Sequence, residues 1–155
     1  MFYKIGSRLK CNSKGLTLPE LLIATVILLP IFVGVMLTFI YCMQYSEMAS
    51  NQTTAILACK NRMTQIENAA YTQVFNTFNN TTFTVNGFNG MGITYIDNTN
   101  PDLLQIITAF CWRERNGRIV GEDRDLDGNL DAGEDVNGNG RLDSRVQLVT
   151  LRYNL

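Results

Sequence analysis

The 155-residue chain contains no histidine. Histidine is the commonest general base in enzymes and a frequent ligand of metals, so its absence removes imidazole from both roles. Acidic residues are missing from the first 15 positions, and charged residues of either sign are missing from positions 21–43. We find no pattern that would pair a nucleophile with a base. The sequence therefore predicts a protein that is not an enzyme.

The uncharged run from Leu21 to Met43 is long enough to cross a membrane. As a helix its 23 residues would measure about 35 Å at about 1.5 Å per residue. A secretory signal has a shorter apolar core and a small-residue cleavage site after it, and neither is present here. A plain membrane anchor is the alternative. That alternative accounts neither for the Lys14-Gly15 junction before the run nor for Glu20, a carboxylate beside apolar residues.

The junction resembles a known processing signal. The first 15 residues hold Lys4, Arg8, Lys10 and Lys14, and the sequence then continues LTLPELL. This arrangement resembles the class III signal of type IV prepilins and type II secretion pseudopilins. The resemblance implies that a prepilin peptidase cleaves after Gly15 on the cytoplasmic side and N-methylates Leu16. The chain departs from the usual pattern at Leu16, where phenylalanine is commonest, and at Pro19, where an aliphatic residue is commoner.

The same resemblance implies a role for Glu20, which falls at the family's glutamate, the fifth mature position. There it would pair with the N-terminal amine of Leu16 in a neighbouring subunit when the helices assemble into a filament. An alternative is local, because Thr17-x-x-Glu20 also fits a capping box at a helix N-terminus. The two roles can coexist.

Periodicity predicts an α+β fold in which a long N-terminal helix packs on a small antiparallel sheet. Beyond Met43 an amphipathic stripe continues at spacings of three or four through Met48, Gln52, Ile56, Cys59, Met63, Ile66 and Ala70. We therefore predict a leader over residues 1–15, a long helix over 16–75 with its membrane span at about 18–43, and a β domain over 76–155. Short strands are expected near 83–85 and 93–96. Further strands are expected over 103–115, 118–120 and 146–153, with a hairpin turn at Asn116-Gly117.

Residues 123–134, DRDLDGNLDAGE, fit the D-x-D-x-D-G-x₅-E calcium loop at every position. The predicted ligands are side-chain oxygens of Asp123, Asp125 and Asp127, the carbonyl of Asn129, Asp131 directly or through water, and a bidentate Glu134. The alternative is a solvated acidic turn, although carboxylates at this spacing repel one another without a cation. Because no amphipathic helices flank the loop, we interpret it as a clamp between strands rather than a switch.

A second copy of the pattern begins at Asp135. Its predicted ligands are Asp135, Asn137, Asn139 and Asp143, which places the whole calcium region at 123–143. The closing glutamate is missing, because the twelfth residue of this copy is Val146. The sequence predicts that this copy binds more weakly or lends ligands to the first.

Four cysteines are present, and Cys11 lies in the predicted leader. The outer domain would face an oxidising compartment, where disulfides persist. A bond between Cys59 on the helical stripe and Cys111 in the first long strand is one prediction, and buried free thiols are the alternative. Cys42, at the outer end of the predicted membrane segment, would lie too close to the membrane to reach that strand.

These features together predict a minor pilin or pseudopilin of a pilus or a type II secretion pseudopilus. It would be a single-pass protein of the bacterial inner membrane with a periplasmic C-terminal domain. The expected partners are the prepilin peptidase, other pilin or pseudopilin subunits and the membrane, and the expected cofactor is Ca²⁺. Without the leader, nine basic and fourteen acidic residues leave a formal charge of −5, so charge gives no support for nucleic-acid binding. The alternative is a membrane-anchored, calcium-dependent surface binder that never polymerises.

Overall fold

The computed structural model describes Gly15 and residues 17–154. Two helices come first, α1 over Leu18–Asn68 and α2 over Tyr71–Phe78. Five strands follow: β1 over Thr81–Phe83, β2 over Gly90–Asn100, β3 over Leu103–Arg113, β4 over Ile119–Val120 and β5 over Val146–Tyr153. The chain divides into two compact units, Met1–Gln44 and Tyr45–Leu155.

The described part of the first unit is the apolar beginning of α1. Its large hydrophobic side chains are exposed, including Leu21, Phe32 and Phe39. Among the described residues, α1 is the one helix long and apolar enough to cross a membrane. Pro30 lies within it without ending it.

The second unit is built on an antiparallel sheet. β2 pairs with β1 on one side and with β3 on the other. β3 pairs on its far side with both β5 and β4, in registers that include Ile107 opposite Val149 and Trp112 opposite Val120. A strand with two neighbours over most of its length buries its backbone polar groups in hydrogen bonds, which makes β3 the centre of the sheet.

The outer part of α1 covers one face of this sheet in two clusters. Near the beginning of the unit, the cluster is formed by Ala55, Ala58, Cys59, Phe110, Trp112, Val120 and Val146. The second cluster lies farther along the helix and is formed by Met63, Ile66, Val74, Ile96, Leu104 and Ile106. β3 thus runs antiparallel to the helix, with its last residues against the earliest covered turns of α1.

The α+β layout of a long apolar N-terminal helix and a small antiparallel sheet is confirmed. The single long helix predicted over 16–75 is interrupted, however. α1 ends at Asn68, and Ala70 has extended backbone (φ −64°, ψ 134°) before α2 begins. The guanidinium of Arg152 on β5 donates hydrogen bonds to the carbonyls of Ile66 and Ala69 at 2.6 and 2.7 Å, and these bonds satisfy the end of the helix.

The predicted bond between Cys59 and Cys111 is not formed, and both thiols are free and buried. Cys59 packs with Phe110 and Trp112 on the helix side of the sheet. Cys111 lies between those two residues in β3, and alternate side chains of a strand point to opposite faces. Its Sγ accordingly lies on the other face, 3.7 Å from the carbonyl oxygen of Asp143.

Candidate metal centre

Two consecutive loops connect β4 to β5: the first loop over residues 123–134 and the second loop over 135–146, whose last residue begins β5. In the first loop, Asp123 and Glu134 are almost fully buried, with 1% and 4% of their surfaces exposed. Asp123 accepts the N–H groups of Leu126 at 2.6 Å and Gly128 at 3.0 Å. Gly128 has φ +78°, and a Cβ at this position would overlap the methyl group of Thr82 in β1. The turn therefore requires glycine for both its conformation and its close approach to the sheet.

Carboxylate oxygens converge in this loop. One oxygen from each of Asp123, Asp125 and Glu134 lies within 4.8 Å of the others, and the same holds for Asp125, Asp127 and Asp131. Burial raises the pKa of Asp123, the charge of Glu134 raises it further, and the two backbone N–H groups oppose the shift. Hydrogen bonds from Asn129 lower the pKa of Asp127, which is exposed. The first loop is a concentrated set of oxygen ligands that could hold a metal ion.

The second loop repeats this hydrogen bonding. Asp135 accepts the N–H of Gly140 at 2.9 Å, just as Asp123 accepts that of Gly128. The positions of Asp125 and Asp127 are taken by Asn137 and Asn139, whose side-chain amides both donate to Asp143 at 2.7 Å. The second loop therefore presents fewer carboxylates than the first and more neutral amide groups.

The closing glutamate of the second loop is Glu122, a residue that the sequence interpretation missed. In the first loop, Glu134 accepts the N–H groups of Arg124 at 2.7 Å and Asp131 at 3.1 Å. In the second loop, Glu122 accepts those of Val136 at 3.3 Å and Asp143 at 2.9 Å. These donors occupy corresponding positions, so each loop has a glutamate bound in the same manner.

A repeat of twelve residues explains this arrangement. The tripeptide GED occurs at 121–123 and again at 133–135, followed each time by a loop. The glutamate of each repeat binds the loop of the other repeat. The backbone of each glutamate also bonds to the other repeat: Glu122 N–H donates to the Asp143 carbonyl, and Glu134 N–H donates to the Asp131 carbonyl. The repeated GED was the sequence signal, but only the folded pair shows which loop each glutamate completes.

The two loops lie on the sheet face opposite α1. Leu142 of the second loop is 1% exposed and packs with Ile93 and Ala109, whereas the corresponding Leu130 of the first loop is 39% exposed. Tyr95 in β2 accepts the N–H of Leu142 at 2.9 Å. Leu142 of the second loop thus packs on the sheet, and the first loop exposes three of its five carboxylates, those of Asp125, Asp127 and Asp131, to solvent.

No protein family, curated protein or solved structure matches this chain. The donor atoms of the loops therefore have to indicate which metal they could hold. Their side-chain donors are carboxylate and amide oxygens, which are hard ligands and suit calcium or magnesium better than zinc or copper. The chain has no histidine to supply a competing imidazole.

The predicted processing and assembly residues lie far along the sequence from the loops. Gly15 has no regular structure, and nothing outside its chain neighbours would meet a Cβ placed there. Glu20 lies exposed in the first turn of α1, where the Thr17 hydroxyl donates to its carboxylate at 3.5 Å. That bond joins the two side chains, and neither of the side chain-to-backbone bonds of the predicted capping box forms between the described residues Thr17 and Glu20. Leu16 and residues 1–14 lie outside the described residues.

Proposed function

We propose that this chain is a minor pilin or pseudopilin, a structural subunit that a prepilin peptidase processes at Gly15 and that assembles into a type IV pilus or a type II secretion pseudopilus. The observation that carries the proposal is a coincidence of features. A basic segment ending in Lys14-Gly15 is followed by a glutamate at position 20 in the first turn of α1, by an exposed, uncharged run over 21–43 and by a small antiparallel sheet. A plain membrane anchor would require the apolar helix but none of the other features.

The exposed carboxylate of Glu20 supports the assembly role. An ionised carboxylate beside an apolar membrane segment is costly unless a cation neutralises it. The long bond from Thr17 leaves most of its hydrogen-bonding capacity free. The N-terminal amine of Leu16 from a neighbouring subunit, created by cleavage after Gly15, would supply the missing positive charge.

The test uses the full chain in a bacterial host with its own prepilin peptidase and filament system. We expect mass spectrometry of membrane protein to find a chain that starts at N-methylated Leu16. Glu20→Ala should be cleaved and retained in the membrane but depleted from sheared filaments, whereas Glu20→Asp should assemble in part. Glu47→Ala, a change of the same charge outside the apolar run, is the matched control. Recovery of uncleaved chain alone would contradict the proposal and favour a plain anchor, as in a calcium-dependent surface binder.

The same subunit is proposed to bind calcium through both loops. Five carboxylates serve the first loop, and Asp135, Asp143 and Glu122 serve the second. Because affinity in such loops increases with the number of charged ligands, the first loop should bind calcium more tightly. Binding would neutralise the crowded carboxylates and hold the connection between β4 and β5.

Calorimetry on the full chain in detergent tests this proposal. We expect two calcium ions per chain, with Glu134→Gln abolishing the tighter site and Glu122→Gln abolishing the weaker one. Glu114→Gln, a buried glutamate outside the loops, should leave both sites intact. A single site unaffected by Glu122→Gln would limit binding to the first loop, and no heat of binding would leave the loops as acidic turns.

A further inference from the structure

A groove of about 260 Å³ lies between α1 and the chain at β1. Four residues of α1 line one side of it, among them Arg62 and Gln65, and the run from Phe83 to Val85 lines the other. All of these residues belong to the second unit. Arg62 is half-buried, and it is the one charged side chain among the described residues of the lining. The groove therefore presents a single positive charge to whatever enters it.

The guanidinium of Arg62 is held in one orientation. Its Nε donates to the hydroxyl of Thr94 at 3.3 Å, and its Nη2 donates to that of Thr81 at 2.6 Å. The ring centres of Phe78 and Phe83 lie 4.8 and 5.4 Å from its central carbon, within the range of a cation–π contact. A ligand would therefore meet a charged group whose conformational freedom is already lost, which lowers the entropic cost of binding.

No carboxylate bonds to this guanidinium within the described part of the chain. The three hydrogen bonds of the Arg62 side chain all end on neutral oxygens, those of Thr81, Thr94 and Gln65. Residues 68–96, which include α2, β1 and Thr94, contain no charged residue. Burial lowers the pKa of Arg62, as expected for a cation that has lost water without gaining a carboxylate. A half-buried charge of this kind is costly until an anion pairs with it.

The exposed edge of the guanidinium still has hydrogen bonds to donate. An arginine side chain has five N–H donors, and the three bonds of Arg62 leave two of them without an acceptor among the described residues. The bond from Nη1 to Gln65 lies on the exposed side, whereas those to Thr81 and Thr94 are partly buried. The two oxygens of a carboxylate match such an edge. Because the lining has no second cation, a singly charged carboxylate suits it better than a phosphate.

We propose that this groove binds a carboxylate that carries a small apolar group. Its oxygens would accept the two free N–H groups of Arg62, and the apolar group would pack against Phe83 and Val85, both half-buried. The exposed side chains of Asn61 and Thr84 belong to the same lining and can donate further hydrogen bonds. This inference goes beyond the proposed function, because it requires neither calcium, nor a membrane span, nor filament assembly.

The test uses the full chain, labelled with ¹⁵N and held in a neutral detergent. Benzoate is the probe, and benzamide, which has a similar shape without the charge, is its control. We expect benzoate to shift the Arg62 Nε–H and Thr84 amide resonances in a saturable way, with an affinity about tenfold above that of benzamide. A factor of about ten is the lower end expected for a hydrogen bond to a charged group.

Two pairs of variants locate the binding at Arg62. Arg62→Gln should abolish the preference for benzoate, and Lys60→Gln, an equal loss of charge at an exposed position of the same helix, should retain it. Since Arg62 also joins α1 to β1 and β2, the second pair leaves it in place. Thr84→Glu adds a carboxylate to the lining and should weaken benzoate binding several-fold by occupying Arg62, whereas Thr84→Gln should not.

Equal affinity for benzoate and benzamide would overturn the proposal, and so would unchanged benzoate binding in a folded Arg62→Gln chain or in Thr84→Glu. The source of the natural carboxylate follows from dilution of the chain. If the Arg62 resonance moves with chain concentration in the absence of benzoate, an acidic side chain of a second copy fills the groove. A resonance independent of concentration, together with saturable benzoate binding, assigns the groove to a carboxylate of a separate molecule.

Discussion

At the residue scale, the position of Cys111 in β3 decides which face of the sheet its thiol lies on, and therefore whether it can meet Cys59. Phe110, Cys111 and Trp112 are all nearly fully buried, yet neighbouring side chains enter different environments. Cys111 lies beneath the loops, where a Cβ on Gly121 would overlap its sulfur, while Cys59 lies against α1's side of the sheet. Burial raises the pKa of both thiols, that of Cys59 to about 11. Neither is suited to oxidation in the folded chain.

We therefore expect Cys59 and Cys111 to remain reduced and unreactive. With a pKa of about 11, only about one Cys59 thiol in a thousand is a thiolate at pH 8, and burial excludes the reagent as well. Peptide mapping after alkylation of the native chain should find both cysteines unmodified, and alkylation in denaturant should modify both. A linked Cys59–Cys111 peptide from oxidised, folded protein would contradict the observed arrangement of faces.

At the scale of elements, the end of α1 depends on a side chain from the last strand. The final turn of α1 contains no basic residue. Arg152 supplies the missing positive charge, where it interacts favourably with the C-terminal end of the helix dipole. Its guanidinium also lies 5.9 Å from the centre of the Tyr71 ring in α2. One residue thus joins both helices to β5.

Arg152→Gln should lower the free energy of unfolding by about 1.5–3 kcal/mol, the usual range for a hydrogen bond to a charged group. Arg152→Lys should lower it less, because the positive charge remains near the carbonyls while the two-pronged geometry is lost. Urea unfolding followed by circular dichroism measures both, and Arg145→Gln at an exposed position serves as the control. Equal stability of Arg152→Gln and the wild type would show that solvent satisfies these carbonyls equally well.

At the scale of the whole molecule, charge is distributed unevenly. Eight of the fourteen acidic residues fall between Glu122 and Asp143, in loops packed on one face of the sheet. In the absence of a cation, their repulsion opposes the packing of Leu142 on Ile93 and Ala109. A cation bound to the folded loops alone would stabilise the sheet through this connection.

We expect the chain to melt at a higher temperature in calcium than in chelator. At about 100 times Kd, one site contributes about 2.7 kcal/mol, and loops of this kind in extracellular proteins have Kd values of about 10⁻⁴–10⁻³ M. Differential scanning fluorimetry in about 10 mM calcium should therefore show an increase of several degrees. Magnesium should substitute poorly because it requires a tighter octahedral shell. Glu134→Gln should remove most of the increase and Asp143→Asn less, and a melting temperature independent of calcium would contradict the proposal.

Local patterns in the sequence were sufficient for the features that depend on neighbouring residues. The length of the apolar run predicted a helix that could span a membrane, the Asn116-Gly117 pair predicted a hairpin turn, and alternation over 146–153 predicted β5. The spacing of carboxylates predicted the convergence of Asp123, Asp125 and Glu134. The helix, the turn and the carboxylate cluster each form through interactions within about twelve residues, whereas β5 was predicted from its own alternation although it pairs with the distant strand β3.

Tertiary structure decided what depends on distant residues. β3 is apolar on both faces, since α1 covers one and the loops cover the other, so its sequence has no alternation from which the side of Cys111 could be predicted. Carbonyls at the end of α1 are satisfied by Arg152, more than 80 residues later. Glu122 completes the second loop only because the two repeats fold against each other. Sequence patterns indicate which residues are buried and which lie in turns. Which distant residue each one contacts is decided by the packing that brings separate segments together.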